Sequence, residues 1–264
     1  MPDTNDLMLL INAAHASGDI ARKFWQQSPE VWDKDAGAGP VTEADIAIDR
    51  MLHHELRSAR PDYGWLSEET TDTRERQDRD HVFIIDPIDG TRAFINGSKT
   101  FAHSLAIAHQ GRVTAAVVFL PMLDRLYVAT NTMPASLNGR PIGVSTAKPD
   151  QTPTVLAAKN NFEAERWKSG TPAFERHQRS SLAYRLCLVA EGRFDAMLTL
   201  RPTWEWDVAA GALIAQRAGA TVTDTQGGKP GFNNPTPQLS GMIAAGPDLH
   251  KTIHSKLAPP FSVP

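Results

Sequence analysis

The chain has 264 residues, 41% hydrophobic and 22% charged, the balance of a soluble globular protein with room for one or two cores. A formal net charge of −3 leaves no footprint for nucleic acid and no attraction to an anionic membrane surface. The single cysteine, Cys187, excludes an intramolecular disulfide framework, and the first apolar stretch, 7–11, is too short for a signal core or a membrane span, so a reducing, bacterial-type cytoplasm is the expected compartment.

Leu7, Leu10, Ile11, Ala14, Ile20, Ala21 and Phe24 recur at helical spacing and predict a helix over roughly 4–27, with Gly18 as its weak point. A Gly-rich loop, 33–40, follows. Thr42 and Asp45 have the form of a capping box opening a second helix through Ile46, Ile48, Leu52 and Leu56, which ends before Pro61. A short strand at 63–66 delivers Glu68 and Glu69. The polar run 70–80 reads as a solvated loop. Next come a strand at 82–85, a hairpin of 102–108 and 113–120 turned by Gln110-Gly111, and a strand at 125–129. Pro134, Asn138-Gly139 and Pro141 mark a crossing between an N-terminal α+β lobe, 1–135, and a C-terminal α/β lobe, 136–264. In the second lobe, strands at 155–158, 196–200, 221–224 and 242–245 alternate with helices near 162–167, 183–191 and 207–218. The nine histidines form no ligand set, and the neighbours His53 and His54 cannot face one metal from a helix.

Chemistry concentrates at Asp86-Pro-Ile-Asp89-Gly90-Thr91, directly after the apolar stretch 82–85. Pro87 and Gly90 are expected to form a turn that aims both carboxylates at one spot. Two like charges about 4 Å apart repel by roughly 4 kcal/mol at an effective dielectric constant of about 20, so a proton or a cation is required between them. Oxygen-rich clusters with few His or Cys ligands suit Mg²⁺ or Mn²⁺.

This hexamer resembles the signature of the inositol monophosphatase superfamily, the lithium-sensitive, Mg²⁺-dependent phosphomonoesterases. Three further elements carry the resemblance in the family's order: Gly39-Pro-Val-Thr-Glu-Ala-Asp45 with Lys34 upstream, Trp65-Leu-Ser-Glu-Glu69, and Trp206-Asp-Val-Ala-Ala-Gly211 followed by Ala218-Gly-Ala220. Ser67 stands where the family usually has Gly. The resemblance implies a layered αβαβα sandwich of the inositol monophosphatase and fructose-1,6-bisphosphatase type, a homodimer, and two or three Mg²⁺ ions acting on a small phosphorylated substrate.

Carried residue by residue, the resemblance makes Glu68, Asp86, the Ile88 carbonyl, Asp89 and Asp207 the metal ligands. It makes Thr91, bonded to Asp45, the group that orients the attacking water. The Gly90 and Thr91 amides would cradle phosphate and Lys34 would close over the site, while the part of Glu69 stays open. If one cation bridges Asp86 and Asp207, their carboxylates must lie within about 8 Å of one another.

Members that cleave inositol monophosphate carry a Glu seven residues before the Trp-Asp aspartate; here that position is Leu200. The string Arg201-Pro-Thr-Trp-Glu-Trp-Asp207 is instead similar to the Pro-Thr-x-x-Trp-Asp form of 3′(2′),5′-bisphosphate nucleotidases, although Val208 stands where those often have Thr. On this reading Arg201 meets a second phosphate, and Glu205 with its flanking Trp204 and Trp206 touches substrate. Inositol 1-phosphate and histidinol phosphate are the alternative substrates. A non-enzymatic partner in RNA-related assemblies is the alternative of a different class.

Overall fold

The computed structural model describes residues 2–33, 39–146 and 151–258. Lys34 lies outside them. In chain order, α1 (Pro2–Phe24) leads to a small hairpin, β1 (Val31–Asp33) and β2 (Pro40–Thr42), and then to α2 (Glu43–Ala59). The expected capping box opens α2: the Asp45 amide donates to Thr42 Oγ1 (3.4 Å) and the Thr42 amide to Asp45 Oδ2 (2.9 Å). Gly18 does not interrupt α1. It lets the helix approach the sheet, since a Cβ there would stand 2.6 Å from the Phe119 ring.

A seven-stranded sheet follows, built in the order β3 (Gly64–Ser67), β4 (His81–Asp89), β5 (Ala102–His109), β6 (Arg112–Leu120), β7 (Arg125–Thr130), β8 (Ser136–Leu137) and β9 (Arg140–Pro141), with the short α3 (Thr91–Ile95) between β4 and β5. Only β3 and β4 pair in parallel. Gln110 and Gly111, at φ +47° and +78°, turn the β5–β6 hairpin as expected. Asn138-Gly139 does not mark the lobe crossing. It turns β8 into β9 within this same sheet, which therefore runs past residue 135.

A second sheet is ordered β11-β10-β12-β16-β14, from β10 (Thr154–Ala157), β11 (Glu175–His177), β12 (Ala196–Thr199), β14 (Thr221–Thr223) and β16 (Met242–Ala245). A two-stranded ribbon joins β13 (Thr203–Trp204) to β15 (Gln238–Leu239). The helices of this half are α4 (Leu182–Ala190), α5 (Glu205–Arg217) and α6 (Pro247–Lys256). The helix expected at 162–167 is two short 3₁₀ turns, Lys159–Phe162 and Ala164–Arg166.

Side-chain alternation on β4 sets the layers. Phe83 and Ile85 pack with Leu10, Ile48 and Leu52 of α1 and α2. Val82 and Ile84 face the other way, into a core with Leu186 of α4, Ala212 of α5, and Met197 and Met242 of the second sheet. Beyond that sheet, Leu249 and Ile253 of α6 pack on Val155, Leu198 and Ile243. The result is the expected αβαβα sandwich. Its middle helical layer comes from the second half of the chain yet packs on the first sheet.

Candidate active site

The alternation that places Val82 and Ile84 on the α4–α5 face also places Asp86 there. Three positions on, a regular strand would turn Asp89 to the opposite face. It does not, because Asp86 pairs with Ser104 and Asp89 with Ala102: three steps on β4 span two on β5. This extra residue is a β-bulge, which returns Asp89 to the face of Asp86 and sends the Ile88 side chain into the α1–α2 core. The turn expected between the two aspartates is therefore a bulged strand, and the chain turns only at Gly90 (φ +100°). Pro87 tolerates the bulge because it has no N–H to satisfy, and its carbonyl meets His103 Nδ1 at 2.6 Å. Burial pushes the His103 ring down to about 4. The neutral ring then donates from Nδ1.

The remaining carboxylates arrive from two sides. Parallel pairing of β3 with β4 brings Glu68 to the level of Ile85, whose carbonyl accepts from the Glu68 amide (3.2 Å). Asp207 sits in the first turn of α5, which Ser104 Oγ anchors by donating to the Trp206 carbonyl (2.9 Å). One oxygen each of Glu68, Asp86 and Asp207 lie within 4.8 Å of one another, inside the 8 Å limit. Asp86 is 1% exposed, and among the described residues neither of its buried oxygens has a hydrogen-bond partner. Burial, then the charges of Glu68, Asp89, Asp207 and Glu69, push its carboxyl well above the usual range. A buried carboxylate without a donor, amid four others, fits a cation held by oxygen ligands.

Asp89 stands outside this trio. Its Oδ2 accepts from Ser181 Oγ (2.6 Å) and the Ala183 amide (2.7 Å), capping α4. Burial raises its carboxyl to about 6 against these bonds and the nearby Arg185 charge. Thr91 Oγ1 lies 3.3 Å from Asp45 Oδ1 and 3.2 Å from the Ile88 carbonyl, as expected for Thr91 and Asp45. Gly90 and Thr91 open α3, whose first amides have no helical acceptor.

Two expectations are corrected. Glu205 is fully buried, with its oxygens taken up by the amides of Asn233 (2.6 Å) and Asn234 (2.9 Å) and by Asn234 Nδ2 (2.6 Å), so it presents no face to a substrate. The 70–80 run is not wholly solvated: Arg76 is 2% exposed and bonded to Asp72, Asn233 and Asn234. Trp204, 40% exposed, stacks on Trp206 at 4.8 Å. Arg201 is exposed.

Sequence reasoning missed two residues. Asp49, one turn after Asp45 on α2, accepts from Ser67 Oγ (2.5 Å) and Thr70 Oγ1 (2.7 Å), clamping both ends of the Glu68–Glu69 segment. The i, i+4 spacing of the two aspartates was its signal. Arg185 is nearly buried on α4 within the electrostatic reach of Asp89, Asp207 and Arg201. Its Nε donates to the Arg179 carbonyl (2.6 Å), and among the described residues its terminal nitrogens have no protein acceptor. One arginine in an otherwise apolar helix was the signal.

Three carboxylates gathered within an αβαβα sandwich fit an oxygen-ligated cation, the kind of centre that Mg²⁺-dependent phosphomonoesterases use. The chain belongs to the inositol monophosphatase family, whose model matches residues 5–262. It is 32% identical over 252 residues to the Nus factor SuhB of Escherichia coli K12, covering 91% of this chain and 90% of that protein. It is 34% identical over 233 residues to an inositol-1-monophosphatase of Rhizobium meliloti, covering 84% and 86%. The extragenic suppressor protein suhB of Bartonella henselae superposes with a TM-score of 0.81 at 26% identity over 95% of this chain and 97% of that one. The Thermotoga maritima IMPase gives 0.80 at 27% identity over 95% and 96%.

Proposed function

We propose that the chain hydrolyses a small phosphomonoester carrying a second anionic group, with a 3′(2′),5′-bisphosphate nucleotide as the class that fits. The observation that carries the site is the unpartnered Asp86 carboxylate beside Glu68 and Asp207. These three, with Asp89 and the Ile88 carbonyl, are the groups that would hold Mg²⁺ or Mn²⁺. When bound there, the metal supplies positive charge to phosphoryl oxygens and lowers the pKa of water.

The protein's own groups do the rest. Asp45 Oδ2 accepts both the amide and the hydroxyl of Thr42 (2.9 and 2.5 Å), which fixes the carboxylate and leaves Oδ1 towards Thr91. The Thr91 proton is drawn towards Asp45 and Ile88, so the outward lone pairs of Oγ1 accept a hydrogen bond from the attacking water and orient it. The Gly90 and Thr91 amides meet the phosphate oxygens. Arg185 and Arg201 supply the second anion site. Leu200, where inositol phosphatases carry Glu, offers an inositol ring no carboxylate.

The inositol 1-phosphate reading is favoured by the name of the Rhizobium meliloti relative. Phosphate release from adenosine 3′,5′-bisphosphate, inositol 1-phosphate and histidinol phosphate, with Mg²⁺ or EDTA, separates the readings. The bisphosphate should have the highest kcat/KM, and Arg185→Met should raise its KM at least tenfold while leaving inositol 1-phosphate within twofold. A preference for inositol 1-phosphate that Arg185→Met does not alter rejects the nucleotide; no Mg²⁺-dependent release from any of them favours the binding-partner reading.

A further inference from the structure

Two loops far apart in sequence meet beside the α5 N-terminus. Gly64, at the start of β3, permits the first to sit flush on the strand: a Cβ there would stand 2.8 Å from Arg76 Cβ and 2.9 Å from its Cα. The Arg76 guanidinium reaches Asp72 through Nε (3.1 Å) and Nη2 (2.8 Å). Its Nη1 donates to Asn233 Oδ1 (2.5 Å) and Nη2 also to the Asn234 carbonyl (2.9 Å). Bonds return from Asn233 Nδ2 to the Arg76 carbonyl (3.3 Å), while Gln77 Nε2 donates to the Asn233 carbonyl (2.8 Å). From Asn233 and Asn234 the path continues through both backbone amides into the fully buried Glu205 carboxylate. Glu205 is the first residue of α5, whose same turn carries Asp207.

A hydrogen-bonded path thus joins Asp72, four residues beyond Glu68, through Arg76 to the helix turn that delivers Asp207, and Arg76 packs against Gly64 of β3. Burying an arginine and a glutamate is unfavourable unless each is fully bonded, and a surface loop needs neither. Glu68 and Asp207, by contrast, need to be held: they repel each other across Asp86 and come from separate layers.

We propose that Arg76, Asn233, Asn234 and Glu205 form a positioning brace that holds Glu68 and Asp207 at cation-binding separation against their repulsion. The inference rests on the reading that Glu68, Asp86 and Asp207 hold the cation. Arg76→Lys keeps the charge, but a single ammonium cannot span Asp72, Asn233 and Asn234 as a planar fork does. Glu205→Gln keeps the volume but turns an N–H₂ towards an amide donor.

Isothermal titration of the full chain with Mg²⁺ alone, substrate absent, tests the brace, with circular dichroism confirming that each variant is folded. Each single variant should raise the Mg²⁺ Kd at least tenfold, and the double variant should be no weaker than the worse single, because both interrupt one path. Asn234→Ala, a milder cut, should give a smaller rise in the same direction. A Kd within twofold of wild type in folded variants, with only the melting temperature lowered, would overturn the brace. Wild-type Mg²⁺ binding that survives Asp86→Asn would remove the cation site, and the brace with it; binding that depends on Asp86 but ignores Arg76 and Glu205 removes the brace alone.

Discussion

Replacing Asp86 with Asn separates a cation site from merely crowded carboxylates, because relief of repulsion stabilises the metal-free protein in either case while only a cation site loses its Mg²⁺ shift. The Glu68, Asp86 and Asp207 oxygens lie within 4.8 Å, where each ionised pair repels by about 3.5 kcal/mol at an effective dielectric constant near 20. Asp86→Asn removes two of these repulsions. Part of the relief is already taken in wild type, since burial holds the Asp86 carboxyl well above the usual range and favours a proton there. The Asn amide also inherits the unpartnered position, at a cost of about 1–3 kcal/mol. A net stabilisation of about 1–3 kcal/mol remains. Unfolding entropy near 2.1 cal mol⁻¹ K⁻¹ per residue over 264 residues converts this to a rise of about 2–5 °C in metal-free Tm. In wild type, Mg²⁺ at a hundredfold excess over Kd adds about 2.7 kcal/mol, or about 5 °C. In Asp86→Asn that shift should fall below about 1 °C. Differential scanning fluorimetry of both proteins in EDTA and in Mg²⁺ reads all four values. Equal Mg²⁺ shifts, or a metal-free variant less stable than wild type, would refute the reasoning.

Thr91→Ala should lower kcat by about 10²-fold or more with KM within threefold, the signature of a group orienting water rather than binding substrate; steady-state kinetics at saturating Mg²⁺ measures it. His103, fully buried, has its folded pKa pushed down to about 4 from 6.5, so the unfolded chain takes the proton first as pH falls. The stability of its neutral form is complete above pH about 6.5, and about 2 kcal/mol of it is lost on going from pH 7.5 to 5. Urea unfolding at both pH values should show that extra loss in wild type relative to His103→Gln; equal losses would mean the ring titrates normally. Gly211→Ala should destabilise by about 1–3 kcal/mol, since the added Cβ would stand 2.7 Å from Leu186 where α4 crosses α5; thermal or urea unfolding checks it.

What the amino-acid sequence by itself determined is what local chemistry determines. The capping box at Thr42 and Asp45, the Gln110-Gly111 hairpin and the apolar strand at 82–85 each involve residues a few positions apart, so they are written in short strings. The trio of Glu68, Asp86 and Asp207 was legible for a different reason: each sits in a string that resembles a family signature. Tertiary structure alone decided which way the side chains face and which charges go inside. The bulge that returns Asp89 to the face of Asp86 exists only in the register between β4 and β5. Arg76 looked solvent-facing because a charged residue in a polar run usually is, and Glu205, between Trp204 and Trp206, looked set to touch substrate. Their burial depends on Asn233 and Asn234, and a charge enters a protein interior only when its partners are already in place. Arg185 likewise gains its meaning from Asp89 and Asp207, which folding brings beside it from other layers. Contacts between distant segments leave no periodicity behind, so they become visible only once the layers are assembled.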